Sequence, residues 1–529
     1  MDQLIVIIGE TLSDDQAKLN NASQFLSTIS QQNAPWLVQA LLCILSSKDL
    51  ESPIRQQSGL QLKLLLQNFQ ILHNIDNNLK NGIKKGLLNI IGSETWRPST
   101  VGQCIQVLFE NDDEDWEDVI PSLVNKISNN QSVVESIETL GYICATVRKK
   151  AVIEVNINQI LTVVMLCISQ ENLMIKITAL RALIDCIESA SMNFARQEER
   201  NYIMQTVCES TQCVHDEVSY LAVECINKII TCYYPLMEEY MESALVPISI
   251  QSIQSSKERT ALQGIEFWCN ILDLEQSMED NNLINLLGKN SDKLNVLVDS
   301  LLSIIVNAPE SDLDMDQWCP SAAAVQCLSL FISTLGDPVS GKIAEFVQQH
   351  ILGFSSTDTW RFSYTSIVCV SSLLNMSDAI AVTVVVSSFF SIAEDLLKSN
   401  INKIRYAASY VILQVAECSI VLKEPQILSS FQHLVTTCLQ CQDEKILQQA
   451  CYALGSFYHN NGIDDGTTFP NMFQRMISLT DSVSFSIQQA AFSAIMDMIE
   501  HCPENCYNFL GKYQRHPRYK EACLLKYVL

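Results

Sequence analysis

The chain has 529 residues, of which 48% are hydrophobic, and its formal net charge is −25. This hydrophobic fraction excludes a disordered chain, and the acidic balance makes DNA, RNA and anionic membranes poor partners and a basic protein surface a suitable one. The low counts of 16 glycines and 13 prolines favour helices joined by short turns over a β-rich fold.

In chain order, the first predicted helices cover residues 3–12, 17–30 and 36–45. An acidic turn at residues 110–115 precedes a further helix, whose dipole it would complement. From Val133 onward helix pairs follow one another without a long linker, so we predict a single array over residues 1–529 with an atypical end at 501–529.

A small residue recurs along the chain and opens an apolar run typical of a buried helix face. The run that begins at Ala261 is the clearest, with Leu262, Ile265 and Trp268 at helical spacing. The small residues are Ser58, Thr100, Ser136, Ala179, Ala222, Ala261, Ala324, Ser366, Ala408, Ala450 and Ala491. Eight of the ten intervals are 39–43 residues long, and the longest, of 63, implies an insertion after Ala261.

A period of about 40–47 residues with two helices in each unit indicates HEAT or armadillo repeats. We therefore predict an all-α fold, a HEAT-repeat superhelical solenoid of about 11–12 antiparallel helix pairs.

Membrane, secretory and catalytic signals are weak. The 20 cysteines lie mostly in apolar helical runs, which favours buried reduced thiols. Residues 1–9 lack the basic flank of a secretory signal, and the apolar stretch 379–393 is short for a membrane span. We expect a protein of the cytoplasm and nucleus with no membrane insertion and no nucleic acid partner.

The sequence predicts no enzyme activity, no cofactor and no metal. It contains no phosphate-binding loop of the GxxxxGK form and no GxSxG or HExxH motif. Cys438 and Cys441 form a CxxC pair near His433, but without a second pair their packing within a helix is the favoured interpretation.

Several segments resemble the importin-β (karyopherin-β) family of nuclear transport receptors, in its N-terminal HEAT repeats. They occur in the family's order and cover about 1–500. The segments are ETWRPS at 94–99, WEDVIP at 116–121, LGYIC at 140–144, ERNYIMQ at 199–205, CESTQC at 208–213, MEEYM at 237–241 and ALQGIEFWCN at 261–270.

The resemblance implies three binding regions. Residues 1–150 would bind Ran-GTP. Residues 151–260 would bind Phe-Gly repeats of nucleoporins between outer helices, through the nucleoporin set Met165, Tyr202 and Tyr240. Residues 261–500 would bind importin-α or basic cargo on inner helices, through the cargo set Glu266, Asp273, Trp318, Tyr410 and Tyr452. An acidic loop for Ran or cargo would comprise Glu310, Asp312, Asp314 and Asp316.

Two functions are therefore expected. The first is a nuclear import receptor that moves between cytoplasm and nucleus and passes the nuclear envelope at the pore. The alternative is a HEAT-repeat scaffold for protein assembly or trafficking without Ran linkage. Because the family usually has more repeats, and because Tyr410 and Tyr452 replace tryptophans with weaker cation–π attraction, adaptor binding is expected to be reduced.

Overall fold

The computed structural model describes residues 1–114, 116–277, 291–314, 317–355, 359–418, 421–461, 468–513 and 516–520. Within these ranges all regular secondary structure is helical, which confirms the predicted all-α fold class. The chain divides into two compact units, Met1–Ile248 and Ser249–Leu529. The three functional regions predicted from the sequence stay predictions.

The helices that begin before the unit boundary are α1 Asp2–Glu10, α2 Gln16–Ser46, α3 Ser52–Gln67, α4 Phe69–His73, α5 Asn77–Ile90, α6 Thr100–Asn111, α7 Val119–Ser128, α8 Val133–Cys144, α9 Lys150–Ile168, α10 Leu173–Cys186, α11 Ser191–Ala195, α12 Gln197–Thr211, α13 Asp216–Tyr233, α14 Glu238–Tyr240 and α15 Val246–Ile253. Short 3-10 helices cover Ile187–Ser189 and Tyr234–Leu236, and a π-helical turn covers Met241–Leu245.

The second unit continues with α16 Glu258–Ser277, α17 Ser291–Asn307, α18 Pro320–Leu335, α19 Asp337–His350, α20 Trp360–Leu373, α21 Ala379–Leu397, α22 Asn402–Glu417, α23 Pro425–Leu439, α24 Glu444–Asn461, α25 Phe469–Leu479, α26 Phe485–Glu500 and α27 Tyr507–Tyr513. Its 3-10 helices are Glu310–Asp314, Ile351–Ser355, Val421–Lys423 and Glu504–Cys506.

Helix α2 consists of two helical segments, as the sequence predicted with separate helices at 17–30 and 36–45. The two segments meet in a kink at Asn33, whose backbone is not helical, with φ −153° and ψ 65°. Pro35 explains the kink, since proline lacks the N–H that continues the helical hydrogen bonds and its ring crowds the preceding turn.

In the described residues the helices form eleven pairs, within the predicted number: α2/α3, α5/α6, α7/α8, α9/α10, α12/α13, α15/α16, α17/α18, α19/α20, α21/α22, α23/α24 and α25/α26. We call the members of each pair its first and second helix. Every recurring small residue from Ser58 to Ala491 lies in a second helix and is at most 4% exposed. Consecutive second helices pack on one another within each unit.

Small residues are needed where consecutive second helices pack on one another, because these helices approach closely. A Cβ atom added to Gly59 would lie 2.8 Å from the hydroxyl of Thr100, and one added to Gly102 would lie 2.6 Å from the hydroxyl of Thr139. The period read from the sequence is therefore the period of close contact between second helices.

By length and composition alone, two described helices could cross a membrane, α9 (Lys150–Ile168) and α21 (Ala379–Leu397). Both are first helices with one face buried in the stack: α9 buries Ile160 and Val164, and α21 buries Val386 and Phe389. A helix that packs one apolar face against neighbouring helices can be as long and as apolar as a membrane-spanning helix, so length and composition do not distinguish the two.

Candidate functional site

An open groove of about 480 Å³ lies between the first helices α9 and α12 in the first unit. Buried side chains of Leu161, Met165 and Ile203 form its apolar lining. Leu166 and Tyr202 also line it, yet they are 58% and 50% exposed. The groove thus offers an apolar floor and an aromatic side to a partner's apolar side chain.

Helical geometry explains why neighbouring residues differ so much in burial. Successive residues are about 100° apart around a helix, so Leu166 turns outward where Met165 enters the core. The same relation separates exposed Tyr202 from buried Ile203. Leu161, Leu166 and Ile203 are groove residues that the sequence did not reveal, although the apolar run of α9 is wider than one buried face requires.

A polar network closes one end of the groove. The side-chain amide of Asn193 donates to Asn158 Oδ1 at 2.7 Å and to Glu199 Oε2 at 2.6 Å. Arg196 donates to the other carboxylate oxygen of Glu199 at 2.8 Å, and this hydrogen bond holds the pKa of Glu199 below its ordinary value. The network ties α9 to α12 and keeps a negative charge at the groove's end.

Tyr240, the third member of the nucleoporin set, lies elsewhere. Its hydroxyl donates to Asn201 Oδ1 and accepts from Arg200 Nε at 3.2 Å, and Arg200 also pairs with Glu239 at 2.7 Å. These contacts place Tyr240 against α12 from the side of α14. Among the described residues, the α9/α12 groove is lined by Met165 and Tyr202 but not by Tyr240.

The cargo set is distributed along the second unit. Glu266 and Asp273 are exposed and stand seven residues apart on α16, which places them near one face. Trp318 is 64% exposed in the segment that leads into α18. This part of the set is accessible to a partner.

The two tyrosines of the cargo set are half-buried on later second helices. Burial raises the pKa of Tyr410 on α22, although its hydrogen bond with Ser371 of α20 opposes that shift. Tyr452 lies on α24. The cargo set therefore follows the layer of second helices as an extended surface, and its binding role stays a prediction.

The acidic loop is partly a 3-10 helix, Glu310–Asp314. Glu310 faces Arg361 with an N–O distance of 3.9 Å. Asp312 accepts a 2.7 Å hydrogen bond from Ser311 at its carboxylate, and its backbone carbonyl accepts one from Ser321. Asp316 and the side chain of Asp314 lie outside the described residues.

No protein-family model matches the chain. Importin subunit beta-1 of Schizosaccharomyces pombe is 27% identical over 477 residues, which are 84% of this chain and 54% of that protein. Importin subunit beta-1 of Arabidopsis thaliana is 24% identical over 528 residues, 92% of this chain and 60% of that protein. The chain thus spans a little over half the length of these curated relatives.

Solved structures show the same fold. Yeast importin-beta (Kap95p) has a TM-score of 0.86 at 22% identity and covers 97% of this chain and 62% of its own. A second Kap95p structure, in which Kap95p induces the switch loops of RanGDP to adopt the GTP-bound conformation, has a TM-score of 0.80 at 21% identity. The match covers 97% of this chain and 62% of that chain.

The Kap95:Nup1 complex has a TM-score of 0.82 at 21% identity, and the match covers 97% of this chain and 62% of that chain. The fold of the chain is therefore the HEAT-repeat solenoid fold of these proteins, as the spacing of the small residues predicted. The resemblance seen in the sequence is confirmed to this extent: the chain is similar to importin subunit beta-1 at 24–27% identity and shares its fold.

Proposed function

We propose that the chain acts as an importin-β-type nuclear transport receptor that binds nucleoporin Phe-Gly repeats through the α9/α12 groove. One observation carries the proposal. Met165 and Tyr202, which the resemblance assigns to nucleoporin binding, line one open apolar groove on adjacent first helices. The Kap95:Nup1 complex supports it, since the related protein binds a nucleoporin.

The groove suits the side chain of phenylalanine. Leu161, Met165 and Ile203 supply an apolar floor, and Tyr202 supplies a ring for edge or offset contact. Burying a phenylalanine side chain is worth about 1.5–3 kcal/mol, a weak interaction for one site. Weak single contacts, repeated along a nucleoporin with many Phe-Gly units, would give reversible association through multivalency.

Ran-GTP and cargo complete the proposed function. Binding of Ran by Kap95p supports a Ran contact for this chain, which the resemblance places at residues 1–150. The exposed residues Glu266, Asp273 and Trp318 offer carboxylates and an indole to a basic cargo or to importin-α. Such a receptor would work in both cytoplasm and nucleus and at the nuclear pore.

The groove is tested by Tyr202→Ala, with Tyr507→Ala as the control because Tyr507 is also an exposed tyrosine, at 60%. Loss of an aromatic contact at an interface centre should weaken binding by about 1–2 kcal/mol, roughly five- to thirtyfold. Fluorescence anisotropy with a labelled Phe-Gly peptide measures the affinity, and circular dichroism checks the fold. Equal affinities of wild type and folded Tyr202→Ala would contradict the proposal.

A scaffold without Ran linkage is the alternative function. A pull-down with Ran locked in its GTP state separates the two, because only a transport receptor requires that contact. Capture of the chain by Ran-GTP supports the receptor, whether or not Ran-GDP is captured as well, since Kap95p also binds RanGDP. Absence of capture by either form favours the scaffold, even if Phe-Gly binding persists.

A further inference from the structure

Two histidines and an aspartate meet near the C-terminal ends of α24 and α26. One ring nitrogen of His459, one of His501 and a carboxylate oxygen of Asp497 all lie within 4.8 Å of one another. His459 Nδ1 is 3.5 Å from Asp497 Oδ1, and the two imidazole rings are 5.0 Å apart between centroids.

The packing of second helices creates this cluster. Asp497 and His501 are four residues apart, so both lie on one face of α26 and its C-cap. His459 comes from α24, which packs directly on α26. Gly455 permits the close approach, since a Cβ atom there would lie 2.8 Å from Asp497 Oδ2.

We propose that His459, Asp497 and His501 bind a first-row transition metal ion, with Zn²⁺ as the best match. Two imidazole nitrogens and one carboxylate oxygen are three ligands of the types that zinc prefers, and water would fill the fourth tetrahedral position. Zinc bonds of about 2.0–2.1 Å separate tetrahedral ligand atoms by about 3.3 Å, so small side-chain rotations close the present spacing.

The second coordination shell is already present for His501. Its Nδ1 lies 3.2 Å from the backbone carbonyl oxygen of Asp497. When Nδ1–H donates to that carbonyl, the lone pair is on Nε2, which is the arrangement that orients metal-binding histidines in proteins. If His459 and Asp497 formed only a surface ion pair, that pair would not need the imidazole of His501 beside it, 5.0 Å from the ring of His459.

The surroundings favour a cation that arrives from solvent. His459 is exposed, and Asp497 and His501 are half-buried, so an ion has access. The chain carries a net charge of −25, and the cluster lies where unpaired carbonyls give helix ends a partial negative charge. The site is independent of the proposed transport function.

A bound ion would join two consecutive repeats. His459 belongs to one helix pair, and Asp497 and His501 belong to the next, so coordination would oppose rotation between α24 and α26. Tyr452 stands seven residues before His459 and shares its face of α24. Metal binding would therefore stiffen the layer that carries the predicted cargo set.

The test uses the whole chain after removal of metal with a chelator. Titration calorimetry with Zn²⁺ should show one site that His459→Ala and His501→Ala each weaken more than about tenfold, since even outer-shell changes weaken metal sites 10–100-fold. The control is His433→Ala, because the side chains of His433 and His459 are similarly exposed, at 66% and 61%. Zn²⁺ should raise the Tm of wild type and control only.

Because the chain has 20 cysteines, Co²⁺ serves as a second probe. Absorption bands of tetrahedral Co²⁺ without a thiolate charge-transfer band are expected, and Asp497→Asn should diminish them. Circular dichroism establishes that each variant is folded. Zinc affinity unchanged in the folded histidine variants, no zinc binding by wild type, or cobalt bound through thiolate would each overturn the proposal.

Discussion

The nucleoporin set in the first unit and the cargo set in the second differ in burial and in spacing. Met165 and Tyr202 come together because adjacent first helices place them in one groove. Glu266 and Trp318 stand exposed on separate elements along the layer of second helices. The first set therefore presents a local apolar contact, whereas the second presents an extended charged and aromatic surface.

The degree to which a side chain is buried decides whether it can contact a partner. Met165 is 3% exposed and belongs to the repeat core as well as to the groove. Tyr202, half exposed, is free to contact a partner. Substitutions at buried members should therefore change stability, and substitutions at exposed members should change binding.

The largest expected difference between the units is the loss of folding stability when an acidic residue is replaced by its amide. In the first unit Asp112 is buried at the end of α6, with Lys80 and Lys84 of α5 at 3.1 and 2.6 Å. Asp112→Asn would leave two buried ammonium groups without their counter-charge, so we expect a loss of about 3–5 kcal/mol in the free energy of unfolding. Asp273→Asn, at an exposed acid, is the control and should be nearly neutral. Urea unfolding measures both.

The pH dependence of Asp112 has a definite sign. Burial raises its pKa, but hydrogen bonds from Lys84 and Lys80 outweigh burial and hold the pKa below its ordinary value. The stabilisation is present above the unfolded pKa of about 3.9 and is lost as pH falls through the lower folded value. The difference between wild type and Asp112→Asn should therefore shrink below about pH 4. A constant difference there would contradict the ion-pair explanation.

Met165 should show the next largest effect. Met165→Ala removes a buried side chain and should lower the free energy of unfolding by about 2–3 kcal/mol, near the low end for buried methionine because the groove allows relaxation. Leu166→Ala, one residue later and 58% exposed, is the matched control and should change stability by less than about 1 kcal/mol. If both variants lost the same stability, the conclusion that Met165 is a core residue and Leu166 is not would be wrong.

The sequence predicted the fold well because the recurring small residues mark a physical contact, the close packing of second helices. It also predicted the break in α2 at Asn33, because Pro35 cannot continue the helical hydrogen bonds of the preceding turn. The resemblance assigned both Tyr202 and Tyr240 to grooves between outer helices, without saying which residues share a groove. Only the structure shows that Tyr240 contacts Arg200 and Asn201 and does not line the α9/α12 groove.

The His459–Asp497–His501 cluster shows a second limit. The spacing of Asp497 and His501 is visible in the sequence, but His459 lies 42 residues before His501. It becomes a neighbour only when the register between α24 and α26 is known. Sites built across repeats need the register of both helices to within one residue, because each residue turns the side chain by about 100°.

A smaller effect is expected from the charge of the cargo set. Glu266 accepts a 2.7 Å hydrogen bond from Gln263, and both Glu266 and Asp273 are exposed, so Glu266→Gln with Asp273→Asn should leave stability unchanged. Affinity for a Lys/Arg-rich peptide should fall roughly two- to fivefold for each charge removed. The difference should disappear in about 1 M salt, where the Debye length is about 3 Å instead of about 10 Å at 0.1 M.

Trp318→Ala separates charge from aromatic contact on the same surface. An Arg or Lys stem that lies on the exposed indole makes a short-range contact worth about 0.5–1 kcal/mol at such a site. Because salt screens distant charges more than direct contacts, Trp318→Ala should weaken peptide binding at both salt concentrations, whereas the double charge variant weakens it only at low salt. Titrations of the peptide at both concentrations measure this, with a Phe-Gly peptide as the control ligand. Unchanged peptide affinity in both variants would show that the second unit binds basic partners elsewhere.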